Sequence, residues 1–283
     1  MRSLVIYNHS VYFNEYANPL FSTLKNSGWE VTLTTTLPLP PDSFYIMFGL
    51  LSASVPAPLT PYIAVQLEQE TSSFFTPEYI DKLRGAVEVW EFSASTIPFL
   101  ATHGVKAYHV PLGKVPTPLT PIGVEDIDVV FLGVLNPRRR EVLDALLNAG
   151  VHVATSDRIF GTVKDELVAR ARLVLNIHYY PNATLEQLRI LPALSTGKLV
   201  ISEIARDQQP MAEFGATPEE ILAHCQRWLR VTPAERQTRA LQLLAQIPDF
   251  ADIVPFGRLR QYCEVEARDA EQLSGGVVDV VKG

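Results

Sequence analysis

Short apolar, β-branched runs recur along this chain, each too brief for a helix and each followed by turn or polar residues. In the first half they are Ser3–Asn8 (SLVIYN), Glu30–Thr35, Tyr62–Leu67 (YIAVQL), Ala86–Phe92 (AVEVWEF) and Ala107–Val110. Runs that lack strict alternation mark strands buried on both faces of a parallel sheet. Helical segments lie between them: about Pro19 to Ser27, closed by Gly28, then Pro77–Leu83, then a segment opened by Ser93–Pro98 that reaches His103 and Gly104. Strand and helix in alternation predict an α/β chain. Proline-rich Leu37–Pro61 holds one apolar segment, Ser43–Leu51, which reads as a further strand. No G-x-G-x-x-G follows the first strand, so the dinucleotide fingerprint is missing from its usual place.

The second half repeats the architecture. Asp128–Leu132 is a strand followed by Gly133, Arg138–Ala149 a helix ending at Gly150, His152–Thr155 a strand and Val163–Ala171 a helix. Leu173–Ile177 then reads as a buried strand whose C-terminal edge carries His178, Tyr179 and Tyr180 before the turn residues Pro181 and Asn182. Thr184 is the expected N-cap of a helix bearing Leu185, Leu188, Ile190 and Leu191, interrupted by Pro192 and closed by Gly197. Strand Lys198–Ser202 follows, then helices near Pro218–Arg230 and Pro233–Gln246 and a last one over Phe256–Ala267. The tail from Asp269 to Gly283 reads as frayed.

Two similar α/β halves joined by proline-rich Val115–Gly123 imply domains over 1–114 and 115–255, with a terminal helix and tail over 256–283. A length of 283 residues suits two domains. Hydrophobic content of 47% against 19% charged describes a well-cored globular protein. The net charge of −7 argues against general affinity for nucleic acid or anionic membrane, which require a basic footprint. Cys225 and Cys263 form no metal or redox motif and read as idle thiols. With no charged-then-apolar leader and no apolar run of membrane-spanning length, a soluble, cytoplasmic protein is expected.

The strings NIHYY (Asn176–Tyr180), LEQLRI (Leu185–Ile190), LSTG (Leu194–Gly197) and VISE (Val200–Glu203) together resemble the donor-binding segment of GT-B glycosyltransferases. The likeness is to the compact forms of large viruses, phages and bacteria. WEFSAS, FLATHGV and HVPLG, within Trp90–Gly113, resemble more loosely the last β-α-β of the acceptor domain in that superfamily. The resemblance implies two Rossmann-like domains facing across a cleft, the second holding a nucleotide-sugar and the first an acceptor. The chain departs from the pattern at one point. Many retaining members carry a Glu about five residues before the glycine that ends the helix, where Pro192 stands here.

Candidate chemistry follows the strand ends, where open α/β sheets bind ligands. Gly133 and Asn136, before the run Arg138–Arg140, suit a diphosphate, because a glycine admits close backbone approach and arginine matches phosphate oxygens. Three positive charges at a helix N-terminus oppose its macrodipole, so an anion is expected beside Arg138 or Arg139. Glu186 and Arg189 lie three apart on one helix face. The pair reads either as a ribose and phosphate contact or as an ordinary surface ion pair. His178, Tyr179, Tyr180, Thr184 and Leu185 complete the donor side, with Phe160 and Gly161 of the loop Ser156–Gly161 against a base. A general base for the acceptor hydroxyl is sought among Glu68, Glu70 and His9, all after strands of the first half. No acidic pair follows a strand to hold a divalent metal.

The expected activity is metal-independent transfer of a hexosyl or pentosyl group from a nucleotide-sugar, a UDP- or GDP-sugar serving as co-substrate, to a hydroxyl of a glycan or small molecule. No further cofactor is implied. The rivals are a non-catalytic GT-B-like nucleotide- or glycan-binding module, a nucleotide-sugar epimerase or hydrolase on the same scaffold, and glycosylation of modified bases in phage DNA.

Overall fold

The computed structural model describes residues 3–114, 117–119 and 123–264. Two all-parallel sheets organise them. The first takes β1 (Leu4–Asn8), β2 (Val31–Thr34), β3 (Phe44–Phe48), β4 (Tyr62–Gln66), β5 (Glu88–Glu91) and β6 (Ala107–His109) in the order β2-β1-β3-β4-β5-β6. The second takes β7 (Ile127–Leu132), β8 (Val153–Ser156), β9 (Ala171–Asn176), β10 (Val200–Glu203) and β11 (Glu213–Gly215) in the order β11-β10-β9-β7-β8. Every residue of β1, β3 and β4 is buried, which is why their sequences are unbroken apolar runs.

Helices cover both layers: α1 (Asn14–Asn26), α2 (Pro77–Gly85) and α3 (Ile97–Thr102) on the first, α4 (Pro137–Asn148), α5 (Gly161–Arg170), α6 (Gln187–Ser195), α7 (Pro218–Leu229) and α8 (Pro233–Leu244) on the second. In each sheet the strand order reverses direction once, at β1/β3 and at β7/β9. Crevices outside the C-terminal strand ends open at such switch points.

The chain crosses between the sheets twice, and the two passages touch. Lys114 N–H donates to the Pro248 carbonyl at 3.0 Å and Phe250 N–H to the Lys114 carbonyl at 2.8 Å. A Cβ on Gly113 would lie 2.5 Å from the Phe250 backbone, so only glycine permits this approach. After α9 (Phe250–Ile253), residues 256–264 are helical and pack on the first sheet. Tyr262 stacks on Phe44 with centroids 5.6 Å apart, and both Tyr262 OH (2.9 Å) and Arg258 (3.0 Å) reach the buried Glu88 carboxylate. The expected terminal helix thus returns to the first half; residues 265–267 of it and the tail lie outside the described residues, as do 115, 116 and 120–122 of the expected linker.

Three local expectations are corrected. α1 begins at Asn14, five residues before Pro19, and runs through that proline. α6 is capped by Glu186, not Thr184, and continues through Pro192 with no interruption. Proline deprives the Leu188 carbonyl of its helical donor, but Leu191, Leu194 and Ile190 bury the same helix against the core and hold it. β11, a three-residue edge strand, had no periodic signal to announce it.

One acidic group sits at the junction of strand ends. Glu91 is fully buried, accepting from Ser93 N–H at 2.9 Å and from the Gln66 amide at 3.0 Å, with no cationic partner among the described residues. Burial pushes its carboxyl up to about 8, against the pull of those two hydrogen bonds and with a further push from Asp207. The group is therefore protonated in the folded protein at pH 7 and ionised in the unfolded chain. Its stabilising contribution is full below its ordinary value of 4.5 and is lost as pH rises through about 8. Urea titrations across that window should show wild type losing up to about 1.4 kcal/mol per pH unit relative to Glu91→Gln. A constant difference between the two would place an ionised Glu91 in the fold.

Candidate functional site

The site grows from the β7/β9 switch point. After β7 the chain turns at Gly133, and Asn136 caps α4 by accepting from Arg139 N–H at 2.9 Å. A Cβ at Gly133 would stand 3.2 Å from Arg139 Nη1 and 3.3 Å from Arg189 Nη2, so glycine is what lets two guanidiniums approach this turn. Arg139 is buried. Its Nε donates to the Ile177 carbonyl (3.0 Å), its Nη1 to the Val134 carbonyl (2.7 Å), and its guanidinium carbon lies 5.1 Å from the Phe131 ring centroid and 5.2 Å from that of Tyr179. Arg138 turns the other way, to the Glu203 carboxylate and the His178 carbonyl (3.1 Å). The anions demanded by this basic helix start are therefore Glu203 of β10 and Glu186 at the cap of α6.

From β9, Asn176 and His178 are fully buried. The Asn176 amide oxygen accepts from Arg189 Nη1 at 2.6 Å, and its amide donates to Ser202 Oγ at 2.9 Å. Glu186 stands at the centre: Arg189 Nη1 at 2.6 Å, His178 Nδ1 at 3.2 Å and Arg139 Nη2 at 3.4 Å. Burial alone would raise its carboxyl, but Arg189, the His178 hydrogen bond and Arg139 together hold it at about 2. Burial and the nearness of Arg189 lower Arg139 to about 10, still protonated at neutral pH. Three guanidiniums thus face two carboxylates, leaving a cationic surplus.

A cavity of about 700 Å³ opens where the two sheets present their C-terminal strand ends. Of the donor-side residues expected from the sequence, Gly133, Arg139, Phe160, Tyr179, Tyr180, Glu186 and Arg189 line it. Glu68 lines it from the other side, after β4. Burial raises the Glu68 carboxyl above its ordinary value, opposed by hydrogen bonds from the Ser72 side chain and the Gln69 backbone. The remaining expected residues stand outside the lining. Glu70 pairs with Arg206, and His9 is exposed beside Tyr7. Asn136 and Arg138 brace the α4 start, Gly161 opens α5 behind Phe160, and His178 supports Glu186.

Thr184, Gln187 and Asp207 join the two halves. Gln69 clasps Thr184 through three hydrogen bonds of 2.8, 2.8 and 3.1 Å. Asp207 accepts from Leu185 N–H at 2.7 Å and from Ser93 Oγ at 2.5 Å. Gln187, buried, accepts from Leu112 N–H (2.9 Å) and donates to the Phe92 carbonyl (3.2 Å). Sequence reading missed Gln69, Gln187, Asp207, Asn176 and Glu203 because each acts on a residue far away in the chain. The available signal was position, since Asn176 and Glu203 each end a strand and Gln69 follows one.

No protein-family model matches the chain, and neither does any curated protein sequence. Solved structures do match. AviGT4, a glycosyltransferase involved in avilamycin A biosynthesis, aligns with TM-score 0.56 at 15% identity, over 94% of this chain and 98% of its own. A DNA-modifying β-glucosyltransferase, solved in the presence and absence of uridine diphosphoglucose, gives 0.53 at 10% identity over 96% and 99%. The chain has the GT-B fold. TarM gives 0.52 at 10% identity, with 78% of this chain covering 55% of TarM, so the GT-B chain described here spans about half the length of that protein. Among its described residues no group of three or more His, Cys, Asp or Glu converges as metal ligands do, and no helix is long and apolar enough to cross a membrane.

The charge cluster sets an expected outcome. Glu186→Gln leaves Arg139 and Arg189 without their carboxylate and should cost about 3–5 kcal/mol. Because the folded carboxyl is depressed, wild type holds this advantage above about pH 4.5 and loses it as pH falls toward about 2. Chemical denaturation at neutral and acid pH measures both, and equal midpoints for wild type and variant at neutral pH would remove Glu186 from the centre of the site.

Proposed function

We propose that this protein transfers a sugar from a nucleotide-sugar to a hydroxyl acceptor. The observation that carries the reading is the cationic surplus of Arg139 and Arg189 beside Gly133, at the floor of a cavity between two parallel sheets. A diphosphate supplies the missing negative charge there, and guanidiniums offer paired donors suited to its oxygens. On this reading Glu186 orders the two arginines. Tyr179 and Tyr180 cover the sugar, and Phe160 with the Ser156–Gly161 loop meets the base of a UDP- or GDP-sugar.

In the transfer step the acceptor oxygen forms a bond to the anomeric carbon as the bond to phosphate breaks. Arg139 and Arg189 stabilise the charge that grows on the departing nucleoside diphosphate. That leaves no step requiring a divalent cation. Glu68 is our choice for the group that takes the acceptor's proton. It faces the cavity, has no cationic partner among the described residues, and its carboxyl is raised toward the range where a base works near neutrality. Glu70, paired with Arg206, and His9, outside the lining, suit that role less.

Thermal shift with a panel of nucleotide-sugars tests the donor half. A ligand at a hundred times its dissociation constant should stabilise the fold by about 2.7 kcal/mol, with and without Mg²⁺, and Arg189→Ala should abolish the shift. If no nucleotide or nucleotide-sugar moves the transition under either condition, the enzyme reading falls to a non-catalytic module. Once a donor is found, Glu68→Gln should lower kcat by about 10²–10⁴-fold, while Glu70→Gln keeps it. The acid limb of the kcat profile should lie above the ordinary carboxylate value, and its persistence in Glu68→Gln would reassign the base.

A further inference from the structure

The two walls of the cavity differ in kind. Every cation in the lining among the described residues, namely Arg139, Lys164 and Arg189, stands on the side of the second sheet. The wall contributed by the first half holds none. It is built from Val11, Tyr12, Leu67, Phe74 and Phe92, with a few polar side chains among them. Two of those polar groups are already engaged: Glu15 pairs with Lys164 across the cavity, and Gln69 clasps Thr184. What the wall offers a ligand is thus a mainly apolar surface bearing the Ser73 hydroxyl and one carboxylate without a cationic partner among the described residues, Glu68.

The apolar side chains are also unusually open. Val11 is 49% exposed, Tyr12 57% and Phe74 49%, and all three belong to the same wall. Isolated exposed apolar residues need no explanation, but several lining the same wall of one cavity mark a binding surface. Tyr12 also meets Phe160 of the other half edge to face, 5.0 Å between centroids, so apolar contact links the two walls.

From this asymmetry we infer that the acceptor is a neutral, ring-bearing alcohol or phenol, held by apolar contact with its hydroxyl turned to Glu68. The inference rests on the transfer reading above and adds the acceptor's chemical class. A polyanion is disfavoured because the wall has two carboxylates and no lysine or arginine to replace phosphate counterions. DNA is therefore the wrong partner for this face. A bare glycan is disfavoured because it needs many donors and acceptors, and an apolar wall leaves its hydroxyls desolvated and unpaired.

The test is calorimetric titration of the full chain with β-naphthol, maltotriose and a short DNA duplex, beside the nucleotide-sugar thermal shift. β-Naphthol should bind, and Phe74→Ser and Tyr12→Ser should each weaken it about tenfold. Val163→Ser is the control: Val163 is 59% exposed but lies outside the cavity, and its loss should leave the affinity unchanged. If a nucleotide-sugar binds but β-naphthol does not, the acceptor class is wrong and the transfer reading stands. If β-naphthol binds with the expected variant losses while no nucleotide does, the apolar wall is upheld and the transfer reading is what fails. Binding of maltotriose or DNA that Phe74→Ser weakens would overturn the inference directly.

Discussion

The arrangement of the site depends on one carboxylate. Glu186 sits where burial should neutralise it, and it stays ionised because Arg189, His178 and Arg139 surround it. The dependence runs both ways. Two guanidiniums as close to one turn as Arg139 and Arg189 are to Gly133 repel, and burial lowers Arg139 further. A buried ion cluster of this kind contributes little to net stability and much to geometry, since removing any member leaves the others unpaired. Its cost is consistent with a site held ready for an anion, with cationic charge placed before the ligand arrives.

The second constraint is the way the halves are joined. Gln69 and Gln187 use their side chains to satisfy backbone groups of the opposite half, and Asp207 ties Leu185 N–H of its own half to the Ser93 hydroxyl of the other, as hydrogen bonds in a polar seam must when water is excluded. All three act at or just before α6, the element that also carries Glu186 and Arg189. The charge cluster at the second sheet and the strand ends of the first therefore share one support. The chain's return at Phe250 and the helix over 256–264 add a second brace, through Glu88, Arg258 and Tyr262. GT-B architecture places a cavity between two sheets; these contacts fix how its walls face one another.

Overall charge and local charge point in opposite directions here. A chain of net charge −7 concentrates three arginines around two carboxylates at one switch point, while the facing wall stays apolar and slightly acidic. Net charge governs nonspecific partners, whereas the sign of each wall governs what can sit against it. An acidic protein with a cationic floor can thus hold a small anion yet decline a polyanion.

Much of this was legible in the sequence. Unbroken apolar runs such as FYIMF and YIAVQ specify strands buried on both faces, and their alternation with helices specifies two parallel α/β layers. Position at strand ends picked out Gly133, Arg139, Glu186, Arg189 and Glu68, since topology alone carries such residues to the crevice. What sequence could not decide was which charges meet. Arg138 and Arg139 are neighbours in sequence, but successive helix positions point about 100° apart, so one turns to Glu203 and the other into the cavity. Glu68 and Glu70 are equivalent as text, and only Arg206, 136 residues from Glu70, separates them. Local pattern determined the elements and their edges. The tertiary structure decided the partners, because ionisation and hydrogen bonding depend on distances that sequence separation does not encode.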